Sequence, residues 1–366
     1  MCIRDRYIIL NHVRQCTLPA CLAVSLKDDR LIMNKELNIM KAVGYSKAQP
    51  IQEEDALIDI ELPRPQAQGM DLLVKVKAIS VNPVDTKIRK AVDPSEGEYK
   101  VIGWDAVGEV IEVGEHAKLF NVGDRVWYAG DLNRPGCNAE YQLVDERIVG
   151  HAPASVSPAE AAALPLTAIT AWELLFDRLQ LEQSDAASKD NDLRLLIVGA
   201  AGGVGSILTQ LAANLTRAVV IGTASRPETQ TWARQCGADH VIDHSNPLSE
   251  ELTRIGIKDV SHAICLTHTD QHYDELVKCI APQGKIALID DPVRPLDITR
   301  LKVKSASLHW EFMYTRSMFQ TEDMIKQHEL LNQVAQLIDA GTLVSTMKSA
   351  QGKINAKNLK QAHARI

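Results

Sequence analysis

The feature that most constrains the fold is a run of aliphatic residues that ends in a cluster of glycines. Residues 195–206 read Leu-Leu-Ile-Val-Gly-Ala-Ala-Gly-Gly-Val-Gly-Ser. The aliphatic part has the length of a buried strand, and residues 204–215 then place leucine and alanine on one helical face. A buried strand that leads through glycines straight into an amphipathic helix is typical of a parallel sheet whose strands alternate with helices.

The spacing of the glycines indicates what this turn can bind. Gly202 lets the backbone approach a pyrophosphate, Gly205 lets the helix pack close to the strand, and the helix N-terminus adds N–H donors. Ala200 stands where the usual G-x-G-x-x-G pattern has its first glycine. We therefore expect a dinucleotide site, the alternative being a tight strand-to-helix turn without a ligand. The expected loop residues are Ala201, Gly202, Gly203, Val204 and Gly205.

The end of the next expected strand bears on which dinucleotide is bound. An NAD site places Asp or Glu about 20 residues past the glycines, where it holds the ribose 2′-hydroxyl. No acid follows this strand before Glu228, whereas Ser225 and Arg226 offer a hydroxyl and a guanidinium. Both groups suit a 2′-phosphate through charge-assisted hydrogen bonds. The pattern favours NADPH, and the alternative is that Arg226 is a solvated loop residue.

Composition excludes several other classes of protein. The chain has 366 residues, of which 45% are hydrophobic and 24% charged, which suits two globular domains better than a disordered chain. The formal net charge of −7 argues against a nucleic-acid partner, and no apolar run reaches the roughly 18 residues of a membrane span. The seven cysteines include no C-x-x-C pair. We expect a cytoplasmic enzyme with reduced thiols and no membrane association.

The pattern of expected strands, helices and turns changes along the chain. Residues 1–39 show no sustained period, and we interpret them as an extension upstream of Met40, the alternative being a natural disordered arm. Residues 40–164 show short alternating segments with turn signals, and residues 165–320 alternate strands with helices. The remainder is mostly helical and ends without a cap, so we interpret that end as cut. In the second half we expect strands at 195–199, 218–223, 240–243, 261–266, 285–289 and 307–312.

Motifs in both halves identify a family. The first half carries Val-Asn-Pro-Val-Asp-Thr-Lys-Ile-Arg at 81–89, Gly-Trp-Asp-Ala-Val-Gly-Glu-Val at 103–110 and Gly-Asp-Arg-Val at 123–126. Leu-Thr-Ala at 166–168 and the glycine loop follow. In this order the motifs resemble the medium-chain dehydrogenase/reductase superfamily, and within it the quinone oxidoreductase (zeta-crystallin-like) branch and bacterial zinc-type alcohol dehydrogenase-like proteins. The resemblance extends from Met40 to the last residue.

The resemblance implies an α/β protein with two domains. A GroES-like, β-rich catalytic domain at 40–164 would precede a Rossmann domain at 165–320, a doubly wound parallel sheet that binds NADP(H). Residues 321–366 would return to the catalytic domain, with the active site in the cleft between the two domains. Relatives often dimerise through the last Rossmann strand, here near 307–312, so we expect a homodimer.

The resemblance also allows each zinc-ligand position of the relatives to be compared with the residue that stands there in this sequence. Zinc-dependent relatives hold the metal with a cysteine, a histidine and a later cysteine. The matching positions here are Asn82, Trp104 and residues 164–167, which include no cysteine. Only Cys137 lies where relatives carry a four-cysteine lobe for structural zinc, and we expect no metal. Three conceivable substitute ligands are better interpreted as solvated or hydrogen-bonded residues: Asp85, Asp105 and His151.

Without a metal to polarise an alcohol or aldehyde, the resemblance favours conjugate reduction of a small molecule. Hydride would pass from the nicotinamide to a quinone or α,β-unsaturated carbonyl (an enone), whose oxygen then needs hydrogen-bond donors. Asn82 is the first catalytic candidate, the alternative being a residue that only shapes the loop before Pro83, and Tyr128 is the second. Tyr45 and Trp104 join Asn82 and Tyr128 in the expected substrate pocket.

Further cofactor residues follow from the same resemblance. Thr167 matches a position that relatives place near the nicotinamide, and His244 stands where relatives often have a tyrosine beside the adenosine phosphate. Leu266, Thr267 and Ile289 end strands at the edge where open α/β sheets bind ligands. Two other functions stay open, namely a zinc-dependent alcohol dehydrogenase with atypical ligands and an NADPH-binding protein with little turnover.

Overall fold

A computed structural model describes residues 7–10, 39–184 and 188–366, the first four by their backbone alone. The expectation for residues 1–39 therefore falls largely outside the described residues, although Tyr7–Leu10 forms a strand. The chain divides into two compact units. We call Leu166–Thr315 with Leu337–Thr346 the parallel unit. The described part of Arg6–Pro165, with Arg316–Gln336 and Met347–Ile366, is the β-rich unit.

The β-rich unit consists mainly of short strands joined by turns. A seven-stranded sheet has the order β16-β1-β4-β6-β7-β9, with β8 also paired to β4, and a second sheet has the order β3-β2-β5. All pairs are antiparallel except β1 with β16. The strands are β1 (Tyr7–Leu10), β2 (Ile39–Tyr45), β3 (Ile58–Pro63), β4 (Asp71–Val81), β5 (Lys100–Val101), β6 (Ala106–Val113), β7 (Arg125–Tyr128), β8 (Tyr141–Asp145), β9 (Val149–His151) and β16 (Ser349–Lys353).

The parallel unit contains one sheet of six parallel strands in the order β12-β11-β10-β13-β14-β15. The order reverses direction at β10, as in a doubly wound Rossmann sheet. This confirms the expected fold class and the six expected strands, whose observed ends differ from the expected ones by at most five residues, at the starts of β10 and β14. The strands are β10 (Asp190–Val198), β11 (Ala218–Thr223), β12 (His240–Ile242), β13 (Val260–Cys265), β14 (Ile280–Leu288) and β15 (Ser307–Trp310).

Helices lie between the strands of both units. They are α1 (Pro83–Ala91), α2 (Pro158–Ala162), α3 (Pro165–Trp172), α4 (Gly203–Leu215), α5 (Pro227–Gln235), α6 (Leu248–Arg254), α7 (Thr269–Cys279), α8 (Thr315–Phe319), α9 (Lys326–Asp339) and α10 (Ala356–Arg365). Shorter helical turns lie at Glu54–Ala56, Glu146–Ile148, Glu173–Arg178 and Ile298–Lys304. Within the described ranges, none of the helices combines the length and the apolar character that a bilayer span requires.

The core of the parallel unit explains why its strands read as continuous aliphatic runs. Leu195, Leu196, Ile197 and Val198 have no exposed surface, because helices lie on both faces of the sheet. The four cysteines in the described part of the chain are also buried and form no disulfide: Cys137, Cys236, Cys265 and Cys279. Buried thiols of this kind pack as small apolar groups.

Strand register in the β-rich unit brings distant polar residues to one edge of the seven-stranded sheet. Ile79 of β4 lies opposite Ala106 of β6, and Ala106 lies opposite Tyr128 of β7. Asn82 comes directly after β4, and Asp105 directly before β6. Three segments that are far apart in sequence therefore place polar side chains at the same place.

Candidate functional site

The glycine loop joins β10 to α4 in the parallel unit. Gly199 has a φ of +86°, a conformation that favours glycine. A Cβ on Gly205 would collide with the carbonyl oxygen of Gly199, so this glycine is required by the packing of α4 against the strand. A Cβ on Gly202 would lie 3.3 Å from the same oxygen, with nothing else nearby. The protein itself therefore leaves space over Gly202.

That open space and the start of α4 fit the pyrophosphate of a dinucleotide. The first turn of α4 contains no acidic residue, and the N–H groups at a helix start point toward an approaching anion. Ser206 closes the turn by donating its hydroxyl to the carbonyl of Gly202 at 2.7 Å. The indole N–H of Trp232 on α5 donates to Ser206 Oγ at 2.8 Å, which fixes the loop to the next helix. The remaining loop residues Ala201, Gly203 and Val204 lie in this turn as expected.

Ser225 and Arg226 follow β11, where the sequence predicts the residues that contact the 2′ group of the adenosine ribose. Ser225 is exposed, and Arg226 is the residue from which α5 begins. The Arg226 Nε lies 3.3 Å from a carboxylate oxygen of Glu228, and both side chains are partly exposed. An exposed pair of this kind contributes little stability, so a phosphate can compete for the guanidinium.

Other expected cofactor residues also follow strand ends. Leu266 and Thr267 come directly after β13, and Ile289 directly after β14. The Thr267 methyl lies 3.2 Å from where a Cβ on Gly199 would stand, so this residue borders the glycine loop. Thr167 is buried within α3.

Thr223, at the end of β11, is a residue of this edge that sequence reasoning missed. Its Oγ1 accepts the N–H of Gly199 at 3.1 Å and lies 2.8 Å from His244 Nδ1, two residues past β12. Burial is the main cause that lowers the pKa of His244, with Asp243 opposing it and His268 adding to it. The signal in the sequence was a lone threonine at the end of an aliphatic strand.

In the β-rich unit, Asn82 is held from two sides, through its backbone and through its side chain. Asn82 precedes α1; its backbone N–H donates to Asp85 Oδ2 at 2.5 Å, and its backbone carbonyl accepts the N–H of Asp85 at 3.0 Å. Its amide Nδ2 donates to Asp105 Oδ2 at 3.0 Å. With only 2% of its surface exposed, Asn82 presents a fixed amide that has one further N–H to donate.

The partners of Asn82 are buried carboxyl groups that the sequence reading treated as hydrogen-bonded residues. Asp85 and Asp105 expose 1% and 0% of their surface. Burial, with the nearby Asp105 charge as a lesser cause, raises the pKa of Asp85 to about 7, although hydrogen bonds from the backbone of Asn82 oppose the shift. The Cys137 Sγ lies 3.7 Å from the carbonyl oxygen of Asp105, and burial raises the pKa of this thiol well above its usual range.

Tyr128, the second catalytic candidate, is fully buried, and its hydroxyl has no hydrogen-bond partner among the described residues. Burial, together with the neighbouring Cys137, raises the pKa of Tyr128 well above its usual range. The phenol is therefore a neutral group whose proton is available to an acceptor.

The polar atoms of the two remaining pocket candidates form hydrogen bonds with backbone carbonyls of the protein itself. Tyr45 is buried and donates its hydroxyl to the carbonyl of Val92 at 2.8 Å, just past α1. Trp104 donates its indole N–H to the carbonyl of Asp131 at 3.0 Å. Their polar atoms thus hold the surrounding segments, and a role for either residue in substrate contact stays a prediction.

The donor set in this cluster does not suit zinc. Among the described residues, no three His, Cys, Asp or Glu side chains are grouped as metal ligands. Zinc sites that use thiolates combine several cysteine and histidine ligands, whereas Cys137 is the only cysteine among the described residues of the β-rich unit. Asp105 and Asp85 are engaged by Asn82, and exposed His151 packs on Phe120 with ring centroids 4.7 Å apart.

The pKa of Asp85 gives a test of this cluster. A carboxyl whose pKa is about 7 when folded, against about 3.9 when unfolded, stabilises the fold when protonated and loses that contribution as pH rises through 7. Asp85→Asn keeps an acceptor for the Asn82 N–H and cannot ionise. Between about pH 5 and about pH 8, we expect the wild type to lose on the order of 1–3 kcal/mol of unfolding free energy relative to the variant.

Urea denaturation at each pH measures this difference. Asp55→Asn removes an exposed carboxylate of the same unit and is the matched control. A constant difference between wild type and Asp85→Asn across this range would show that Asp85 ionises normally.

Two family signatures match the chain. The alcohol dehydrogenase GroES-like domain matches residues 68–154 of the β-rich unit. The zinc-binding dehydrogenase signature matches residues 203–328, beginning at the first residue of α4. The second signature carries zinc in its name, whereas the side chains around Asn82 offer no suitable ligand set.

Known proteins resemble the chain over most of its length. A zinc-type alcohol dehydrogenase-like protein of Staphylococcus aureus (strain MSSA476) is 40% identical over 324 residues, 88% of this chain and 95% of the relative. A solved structure from Rhizobium etli CFN 42, named after the zinc-dependent alcohol dehydrogenases, is 52% identical with a TM-score of 0.85, covering 89% of this chain and 94% of that one.

A more distant structure is the Escherichia coli quinone oxidoreductase complexed with NADPH. It is 25% identical with a TM-score of 0.72, covering 88% of this chain and 95% of that one. Together these matches confirm the resemblance found in the sequence motifs. The chain belongs to the medium-chain dehydrogenase/reductase superfamily, a family of oxidoreductases that bind a nicotinamide cofactor.

Proposed function

We propose that this protein is a zinc-independent, NADPH-dependent oxidoreductase that reduces a quinone or an α,β-unsaturated carbonyl. The observation that carries the proposal is the buried Asn82, whose backbone is held by Asp85 and whose amide is held by Asp105, where a zinc-dependent enzyme would need a thiolate. A fixed N–H donor suits a reaction that builds negative charge on an oxygen.

The proposed chemistry needs few groups from the protein. Bound NADPH supplies the hydride, which reaches an electron-poor carbon of the substrate. Asn82 donates its second amide N–H to the carbonyl oxygen as negative charge develops there. Asp105 holds the amide in the orientation that points N–H, rather than C=O, at that oxygen. Tyr128 offers a second, neutral proton donor in the same cluster.

The choice of NADPH rests on the end of β11. Arg226 provides a permanent positive charge and Ser225 an exposed hydroxyl at the position that reads the ribose 2′ group. The Escherichia coli quinone oxidoreductase, a structural neighbour, was solved with NADPH. The substrate class follows from the same neighbour together with the unsuitable zinc ligands.

Asn82→Ser tests the proposed donor. Serine can cap α1 through its hydroxyl but lacks the amide N–H, so the helix is kept and the donor is lost. We expect kcat/KM for an enone or quinone to fall about 100-fold, with an unchanged Kd for NADPH. The measurement is NADPH consumption at 340 nm with a panel of quinones, enones and simple aldehydes, after dialysis against a zinc chelator.

Asn332→Ser, which changes a half-buried asparagine on α9, is the control. The wild type should reduce members of the quinone and enone classes after chelation and leave simple aldehydes unchanged. Loss of activity on chelation would support the zinc-dependent alternative, and cofactor binding without turnover on any acceptor would support a binding protein.

Arg226→Ala tests the cofactor choice. Loss of the guanidinium removes a charge-assisted hydrogen bond to the 2′-phosphate but no contact to a 2′-hydroxyl. We expect NADPH to bind about 10-fold to 150-fold more weakly, with NADH affinity nearly unchanged. Isothermal titration calorimetry measures both values. Arg234→Ala removes an equal charge from the last turn of α5 and should change neither. Equal losses for both cofactors would contradict a phosphate contact.

A homodimer through β15 is the proposed assembly. This strand ends the parallel sheet and, among the described strands, pairs with β14 alone. Trp310 and Phe312 expose about half of their surface beside this open edge, at 52% and 49%. A second copy can pair with the edge and cover both rings.

Trp310→Lys tests this interface, since lysine at a strand edge opposes pairing. We expect the wild type to show the mass of a dimer in light scattering after gel filtration, and the variant to show the mass of one chain. Phe319→Lys also changes an exposed aromatic residue, 74% exposed, and should leave the dimer intact. A monomeric wild type would overturn the assembly.

A further inference from the structure

Three histidines gather at the carboxyl edge of the parallel sheet, outside the residues used above except for His244. His244 follows β12, His268 directly precedes α7, and His272 lies in the first turns of α7. The rings of His244 and His272 contact edge to face, with centroids 5.9 Å apart. His268 interacts electrostatically with both. We call these three residues the histidine cluster.

The cluster is attached to the glycine loop through Thr223. Thr223 Oγ1 accepts the Gly199 N–H, so its own O–H is free to donate to His244 Nδ1, 2.8 Å away. A neutral His244 then carries its proton on Nε2, which becomes a donor. His268 is similarly held, since its Nδ1 lies 2.6 Å from Thr267 Oγ1.

The surroundings of the cluster keep His244 and His272 uncharged at neutral pH. Burial, then repulsion from the other two histidines, lowers the pKa of His272 to about 4, and Asp290 opposes this. Burial also lowers the pKa of His244, with Asp243 opposing. Asp243 and Asp290 are the carboxylates that face these rings, and Asp290 is already bonded to the N–H and hydroxyl of Thr269. At neutral pH His244 and His272 are therefore uncharged.

We propose that the histidine cluster is a subsite for a phosphate of the bound dinucleotide, and that it takes up a proton from solvent when the phosphate binds. The proposal rests on the proposed NADPH binding. An open α/β sheet binds nucleotides at the edge where the cluster lies. A phosphate there offsets the repulsion between the imidazoles and favours their charged forms. The phosphate is either the 2′-phosphate or the pyrophosphate, which NADH shares.

Calorimetry of the full-length protein with NADPH and with NADH tests the subsite. Titrations in buffers with different ionisation enthalpies count the protons taken up per cofactor. We expect an uptake of about half a proton or more near pH 7, and an affinity that falls about tenfold from about pH 6 to about pH 8. Uptake with NADPH alone assigns the 2′-phosphate, and equal uptake with both cofactors assigns the pyrophosphate.

Variants separate the protein's protons from those of the ligand, because a 2′-phosphate itself titrates near pH 6. His272→Gln keeps a polar side chain that cannot become charged. It should reduce the uptake by about half or more and flatten the pH dependence, with less than about threefold loss of affinity at about pH 8. His116→Gln, which changes an exposed histidine of the β-rich unit, should change nothing.

The outcomes also separate this proposal from the proposed function. NADPH binding with the same proton uptake in wild type and His272→Gln overturns the subsite and leaves the cofactor assignment standing. Absence of NADPH binding at every pH, with a folded protein by circular dichroism, overturns the cofactor assignment and the subsite together.

Discussion

The hydroxyl of Thr223 is the contact on which the nucleotide edge of the parallel unit depends. It accepts the Gly199 N–H from β10 and meets His244 from β12, so one side chain sets the spacing of three strand ends. The Thr223 carbonyl also accepts the N–H of Ala200. Gly222 makes this close approach possible, because a Cβ there would lie 2.9 Å from the Ala200 side chain. The turn proposed to face a pyrophosphate is therefore shaped by β11 as much as by its own glycines.

Asn82 has a comparable position in the β-rich unit, because one side chain serves both the fold and the proposed chemistry. If its amide were rotated by half a turn, Oδ1 instead of Nδ2 would face the Asp105 carboxylate, and that contact would be repulsive. The buried Asp105 side chain therefore fixes which end of the amide is presented. Leaving either partner unpaired in a buried place costs more than the hydrogen bond contributes, so the orientation is well determined.

The sequence predicted the parts of the structure that depend on local pattern. The six parallel strands, the helix after the glycines and the residues at the strand ends follow from aliphatic runs and glycine spacing. The Asn82–Asp85 contact is equally local and was readable as Asn-x-x-Asp. Contacts that depend on strand register could not be predicted from the sequence. Asp105 meets Asn82 only because β4 pairs with β6 in one register.

The histidine cluster could not be predicted from the sequence for the same reason. His244 and His272 are far apart in sequence, and they meet because β12 and β13 end at the same edge of one sheet. Tyr45 shows a second limit of the sequence. The direction of its hydroxyl depends on where α1 ends, because it donates to the carbonyl of Val92, just past α1. Its place in the substrate pocket stays a prediction.

In the two proposals for the parallel unit, a phosphate meets two kinds of positive group, and burial decides how each one responds. Arg226 is partly exposed and permanently charged, so its attraction for a phosphate is independent of pH and is screened by salt. His244 and His272 are half-buried and uncharged in the free protein, because desolvation outweighs the nearby carboxylates. Their attraction appears only when an anion raises their pKa, which makes it dependent on pH and less sensitive to salt. Salt and pH therefore report on different residues of one nucleotide site.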